Sequence, residues 1–426
     1  MRSKLWLAVG LSVLCTTVHG QTNKPLVRSR FNALDKNADG KITADETPRR
    51  TLLRFLDKNG DKALSIEEFA KAFELATDRR SDQASESWTA AEFVHEIPAD
   101  APLTRESILE AAEYSASLKG ISFYVLLDGQ LIYADYPNGG GESRAHELAS
   151  GTKSFTGVMA AVAIDEGLIS LDERVCDTLT EWQSDSQKSK ITVEQLLHLT
   201  SGISPGSETS SRVPSFASAI ANPLLTEPGE TFNYGPAHFQ CFGEFLRRKL
   251  AAKNVEDSPV KYLKRKVLEP IGLKINVWRK DEDGFEHLPS GAALTATQWA
   301  TFGELIRLNG QWEGEQIVSP EQLDECFVGS NANPAYGLTF WLNRQVSPRM
   351  RRAIPQLRRT TDDMKKSDSI PSDLVYAAGA GNQRLFISRS AKLVVVRQAE
   401  GIVDAMSGRR TSYSDKKFLE LLLKKK

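Results

Sequence analysis

From Thr104 to the C-terminus the apolar positions change period several times, and each change predicts a change of element. Arg105 to Leu118 reads as a helix. ISFYVLL (121–127) and QLIYADY (130–136) are β-rich runs, and the Asp128-Gly129 dipeptide between them is the signal of a two-residue hairpin. After Ser150 the apolar residues Phe155, Val158, Met159, Val162 and Ala163 recur at helical spacing until Gly167 stops the pattern. QRLFISRSAKLVVVRQ (383–398) supplies two more strand-like runs, followed by an amphipathic helix around Lys416–Leu423. Strands near both ends, with mostly helical sequence between them, predict an α+β unit built on one mixed sheet.

Upstream the texture differs. Residues 79–103 show no sustained period and are rich in Ser, Ala, Pro and charge, so 76–103 reads as a linker. At the start, Arg2 and Lys4 precede an apolar run from Leu5 to Val18, with Val18 and Gly20 at the positions a signal peptidase reads. This predicts an export signal over 1–20 and a periplasmic or secreted mature chain. The run is 14 residues long, short of the roughly 18 needed to span a bilayer, and no later segment is longer, so no membrane span is expected.

Between signal and linker lie two acidic repeats, FNALDKNADGKITADE (31–46) and LRFLDKNGDKALSIEE (53–68), each fitting a calcium loop that ends in Glu. In the first, Asp35, Asn37, Asp39, the Lys41 carbonyl, Thr43 and Glu46 would surround the ion, with Gly40 making the sharp turn. In the second, Asp57, Asn59, Asp61, the Ala63 carbonyl, Ser65 and Glu68 would do so. There Lys62 stands where Gly is preferred, which predicts weaker binding. The resemblance is to an EF-hand pair over 28–75, a small α-helical module. The loop starts are only 22 residues apart, leaving one short helix (Pro48 to Leu56) between them. Exported modules of this kind bind weakly, which suits a structural Ca²⁺ rather than signalling.

Composition narrows the function classes. The 426 residues carry 54 basic and 55 acidic side chains. Removing 1–20 takes two basic and no acidic residues, giving 52 against 55, or about −3. Such a chain offers no electrostatic footprint for nucleic acid. Cys176, Cys241 and Cys326 remain, too few and too widely spaced for a disulfide framework, and read as small buried apolar residues. The His and Cys spacings offer no catalytic zinc set.

The candidate chemistry sits in ELASGTKSFTGV (147–158). Ser150 lies at the start of a helical pattern, where free backbone N–H groups favour developing negative charge. Lys153 is one turn later, so its amine can return to the serine oxygen, and burial would make it a base. Alone, S-x-x-K is common and a Ser helix cap ordinary. Downstream stretches add to it: DEGLISLDERV (165–175), ITVEQLLHLTSGI (191–203), EPGETFNYGPAHFQCFGEFL (227–246) and YAAGAGNQRLFISRSAKLVVV (376–396). With these the sequence, from about Leu103 to Leu423, resembles the penicillin-binding-protein-like serine hydrolases: class C β-lactamases, D,D-carboxypeptidases and esterases of the same fold. The resemblance implies a mainly antiparallel sheet flanked by helices, a helical subdomain walling the cleft, and a hydrolase domain over 104–426. It implies Ser150 as the acylated serine, Lys153 as its activating lysine and Tyr234 as the proton-relaying tyrosine, with the Ser150 and Ala380 N–H groups as the oxyanion hole. No cofactor is implied for catalysis.

Two departures from the family pattern bear on substrate. Pro236 stands where the family has an asparagine that orients the lysine. In the third motif Ala377-Ala378-Gly379 replaces a cationic residue, a hydroxyl residue and glycine, the pair that grips the carboxylate of penicillins. Their loss predicts an uncharged small-molecule acyl ester or amide as substrate. Gln383 or Arg384 is a possible substitute contact, although a solvated strand position is the favoured reading. Gly202-Ile-Ser-Pro-Gly206 imitates a nucleophile elbow, but Pro205 has no N–H to donate, so Ser204 reads as loop. His198 reads as a histidine satisfied at a helix end, and His146 has no fixed direction. The alternatives are a non-catalytic scaffold with a decayed cleft, or a β-lactamase or D,D-peptidase proper.

Overall fold

A computed structural model describes residues 92–206, 213–357, 364, 367–409 and 411–423, together with 31, 35–37, 39–43, 46 and 61–68. The chain divides into two compact units, 1–88 and 89–426.

The large unit is built on a seven-stranded sheet: β1 (Glu92–Phe93), β2 (Gly120–Leu127), β3 (Gln130–Asp135), β4 (Trp341–Leu342), β5 (Val375–Gly379), β6 (Gln383–Ser388) and β7 (Leu393–Ala399). Their spatial order is β4-β5-β6-β7-β2-β3-β1, and every pairing is antiparallel. The pairing of β7 with β2 closes the sheet with strands from opposite ends of the unit. Asp128 and Gly129 both have positive φ, 48° and 80°, as the predicted two-residue hairpin requires. β1 lies inside the stretch expected to be a linker. It is an edge strand of two residues on β3, too short to leave a period in the sequence.

Helices cover both faces, which is why β2 is buried along its whole length and shows no alternation. On one face lie α1 (Arg105–Ser117) and α5 (Asp415–Leu422), where Phe418 meets Phe123 and Phe386. α1 starts at a reciprocal Thr104–Ser107 cap. On the other face lies α4 (Ala296–Arg307), against which α2 (Lys153–Asp165) packs through Phe302 and Phe155, ring centres 4.3 Å apart. The apolar set Phe155, Val158, Met159, Val162 and Ala163 is entirely buried. α3 (Ala237–Ala252) and the short helices Val193–Leu197 and Phe216–Ala221 form the helical subdomain. Cys176, Cys241 and Cys326 are free and buried.

In the small unit the two acidic loops are joined by an antiparallel pair, Lys41↔Ser65 and Ile42↔Leu64, with Ile42 and Leu64 buried. Pairing therefore survives the short spacing between loops. Lys62 adopts φ 65°, the left-handed conformation that Gly40 takes at φ 85° in the first loop, so the lysine carries the steric cost anticipated for it. Asp57, Asn59, the helix 48–56 and the export signal lie outside the described residues.

Candidate active site

Ser150 sits in a 3₁₀ turn, Ala149–Thr152, that leads directly into α2. The N-cap of that turn is Leu148 and that of α2 is Thr152, so Ser150 is the helix cap of neither. Ala149, immediately before it, has φ 47°, a left-handed conformation that costs a non-glycine residue roughly 1 kcal/mol or more. The turn is fixed from several sides: Thr152 Oγ1 donates to the Ala149 carbonyl (2.8 Å) and accepts from Ala292 N (3.3 Å).

Lys153, only 5 % exposed, directs its Nζ to Ser150 Oγ at 2.9 Å. The same nitrogen donates to the Pro289 carbonyl at 3.0 Å. That backbone acceptor does the orienting that Pro236 cannot. Nζ also lies 4.8 Å from the ring centre of Tyr234 and 5.3 Å from that of Phe239, within cation–π range. Tyr234 is held against Trp341, Phe232 and Tyr336. The loop before α3 that carries it is anchored by His238, whose Nε2 donates to the Asn233 carbonyl at 2.7 Å while Nδ1 accepts from Ser201 Oγ at 2.9 Å, the tautomer being the one those partners require. His238 is wholly buried, and burial, reinforced by the Lys153 charge, pushes it down to about 4 from 6.5.

Ser150, Lys153 and Tyr234 line one cleft of about 290 Å³, and Ala378, Gly379 and Ala380 line it as well. Ala377 is buried but is not part of the lining. The end of β5 presses on the serine turn so closely that a Cβ on Gly379 would lie 2.0 Å from the Leu148 carbonyl oxygen. Glycine is needed there for close approach. Among the described residues, neither the Ser150 nor the Ala380 N–H meets a backbone acceptor.

Other expectations resolve plainly. His198 caps its helix and meets the Val328 carbonyl at 3.0 Å. His146, on a short strand paired with Leu294, faces the Ala399 carbonyl at 3.1 Å and is lowered by burial. Neither lines the cleft. Ser204 is loop, its N–H donating to Pro223. Arg384 and Gln383 correct the reading: neither is solvated. β6 is an interior strand covered on both faces, so Gln383 is fully buried and Arg384 is 4 % exposed, paired to Asp415 at 2.8 Å. A larger cavity of about 520 Å³ lies elsewhere, lined by Glu181, Glu244, Arg247 and Arg248, whose charges pair with one another.

In the small unit, the carboxylate oxygens of Asp35, Asp39 and Glu46 converge within 4.8 Å of one another. Glu46 accepts from Thr43 N and Thr43 Oγ1 (both 3.0 Å), Lys36 N (3.0 Å) and Asn37 N (3.1 Å), and the Thr43 and Asn37 bonds hold its carboxyl below the usual range. Lys41 pairs with Asp61 of the second loop at 3.2 Å. Ala63, Ser65 and Glu68 follow, with Ser65 Oγ donating to Glu68 at 3.0 Å.

An antiparallel sheet sandwiched by helices, with a serine and a buried lysine one turn apart at its edge, is the architecture of the β-lactamase fold. The sequence profile of the β-lactamase family matches residues 105–406, and the chain belongs to that family. A profile of the EF hand matches residues 27–47. Among curated relatives, Protein flp of Staphylococcus aureus strain MRSA252 is 29 % identical over 161 residues, 35 % of this chain and 31 % of that protein. The match thus spans about a third of that relative's length. Among solved structures, a putative 6-aminohexanoate-dimer hydrolase from Bacillus anthracis is similar with a TM-score of 0.55 and 19 % identity, over 75 % of this chain and 89 % of that one. A family VIII carboxylesterase gives 0.55 and 15 %, over 78 % and 99 %. At these identities the structures establish the fold.

Proposed function

We propose that the chain hydrolyses an uncharged acyl ester or amide through an acyl-enzyme on Ser150, as an esterase rather than a β-lactamase. The observation that carries this reading is the 2.9 Å contact between Lys153 Nζ and Ser150 Oγ, with Nζ at the same time 4.8 Å from the Tyr234 ring. Ser150 Oγ attacks the carbonyl carbon and its proton passes to the Lys153–Tyr234 pair. The pair returns that proton to the leaving oxygen or nitrogen as the acyl bond breaks, and water then cleaves the Ser150 ester by the same relay. The Ser150 and Ala380 N–H groups would receive the oxyanion. Retention of all three side chains, with Pro289 supplying the lost support, favours an enzyme over a decayed scaffold.

The cleft argues the substrate's polarity. Ala378 faces it where a hydroxyl residue would grip a carboxylate, and Val213, Ile402, Ala405 and Met406 add apolar surface. Among the described residues, the two lining guanidiniums are paired, exposed Arg279 with Glu147 and buried Arg384 with Asp415. A penicillin carboxylate would go unmatched, whereas a neutral ester would not. The test is turnover of p-nitrophenyl acyl esters: Ser150→Ala should abolish it without changing the melting temperature, and penicillin should not compete. A mutant turning over at the wild-type rate sinks the proposal.

For the small unit we infer a structural Ca²⁺ in the first loop, held by Asp35, Asn37, Asp39, the Lys41 carbonyl, Thr43 and Glu46. Three gathered carboxylates repel unless a cation joins them, and that is the fit the loop offers. When bound, the ion supplies folding stability, not chemistry at Ser150. Asp61, Ala63, Ser65 and Glu68 would contribute likewise in the second loop. Export through residues 1–20 belongs to the same proposal, since extracytoplasmic calcium would fill weak sites of this kind.

A further inference from the structure

We infer that Arg384, clamped by Asp415, is a positioning residue that aims the Ala380 N–H into the Ser150 cleft. The inference rests on the acyl-transfer reading above and adds to it a role for a buried side chain at the edge of the same cleft.

The argument starts from the hairpin joining β5 to β6. Its carbonyls are taken up by buried side chains, one after another. Arg384 Nη1 donates to Gly379 O (3.2 Å) and to Gln383 O (2.9 Å). Arg397 Nη1 donates to Asn382 O (2.8 Å). Gln383 Nε2 lies 3.4 Å from both Ala380 O and Gly381 O, and is itself fixed by the Ala399 carbonyl at 2.7 Å. Left-handed Gly381 (φ 76°) and Asn382 (φ 66°) make this turn possible.

The decisive bond is the one to Gly379 O, because that oxygen and the Ala380 N–H belong to one peptide plane. In a planar trans peptide the two point in opposite directions. A guanidinium holding the carbonyl therefore points the Ala380 N–H away from itself, and Ala380 lines the cleft that holds Ser150. Positive charge on the carbonyl side also polarises the peptide and strengthens its N–H as a donor. Arg384 has little freedom to do otherwise, with Nε bonded to Asp415 Oδ1 at 2.8 Å and both residues buried. The competing view is that Arg384 and Asp415 only tie α5 to the sheet, a role that would affect stability and leave catalysis alone.

The experiment uses the full-length chain. Arg384→Met would strand the buried Asp415 carboxylate and can fail to fold, so Arg384→Lys is the working variant: it keeps a cation beside Asp415 but lacks the fork that reaches the carbonyl as well. Asp415→Asn, which keeps an acceptor for Nε, is the second. Three quantities are read: kcat and KM for p-nitrophenyl acetate, the Kd of an alkyl boronic acid that forms a tetrahedral adduct on Ser150, and the melting temperature. For Arg384→Lys we expect kcat to fall about 10- to 50-fold with KM within about twofold, since a misaimed oxyanion donor harms the transition state selectively. The boronate Kd should weaken by a similar factor, and Asp415→Asn should show the same pattern, about threefold. If whichever variant folds keeps kcat and boronate affinity within about twofold of wild type, whatever its melting temperature, the inference is overturned and only the tether remains. Failure of the acyl-transfer reading looks different: the wild type itself would neither hydrolyse the ester nor bind the boronate.

Discussion

His238 allows a quantitative test of how the tyrosine loop is held. It is wholly buried at the start of α3, donating to Asn233 and accepting from Ser201, and its folded-state pKa is about 4 against 6.5. Because the folded value lies below the unfolded one, the unfolded chain binds the extra proton between those two pH values. Stability is therefore whole above pH 6.5 and declines as the pH falls toward 4. At about 1.4 kcal/mol per pH unit the shift corresponds to roughly 3 kcal/mol. His238→Gln keeps a donor for the Asn233 carbonyl and cannot titrate. Urea unfolding, followed by fluorescence of Trp182, Trp278, Trp299, Trp312 and Trp341 in the large unit, should find the variant less stable than wild type at pH 7.5 by about 1–2 kcal/mol, from the lost Ser201 contact. That gap should close and then reverse by pH 4, a relative change of about 3 kcal/mol. A gap that stays constant across the range would show that His238 does not titrate against burial, and the account of the tyrosine loop would be wrong.

Two further outcomes are expected. Gly379→Ala forces a Cβ to within 2.0 Å of the Leu148 carbonyl oxygen; neither backbone can yield cheaply, so kcat should drop about 100-fold, read by ester turnover on the folded variant. Calcium at about 10 mM should stabilise the small unit by about 1.4 kcal/mol for a site near 10⁻³ M, seen as a calorimetric shift that Glu46→Gln removes; an unchanged melting curve for the wild type would refute the calcium site.

Much of the site was legible because it obeys local rules. Ser150 and Lys153 are one helical turn apart, so their meeting follows from spacing alone, and the Asp128-Gly129 hairpin follows from turn chemistry. Tyr234 has no local signal toward Ser150 and was placed only by the resemblance to a family. The Pro289 carbonyl was invisible, since any residue carries one and only tertiary packing aims it at Lys153. His238 sits within a helix like an ordinary polar residue, and nothing near it in sequence announces its partner Ser201. Arg384 was misread for a related reason: a charged residue in a strand defaults to solvent unless its buried partner is known, and Asp415 lies 31 positions away. The edge strand at Glu92–Phe93 failed through shortness, as two residues cannot show an alternation.

The most direct measurement is the intact mass of the full chain after incubation with a fluorophosphonate, with a parallel incubation in penicillin. The account requires one phosphonyl adduct, mapped to the peptide bearing Ser150 and absent from Ser150→Ala, with no penicilloyl adduct. An unmodified protein, or a label that persists when Ser150 is removed, would mean that this hydroxyl is not activated by Lys153.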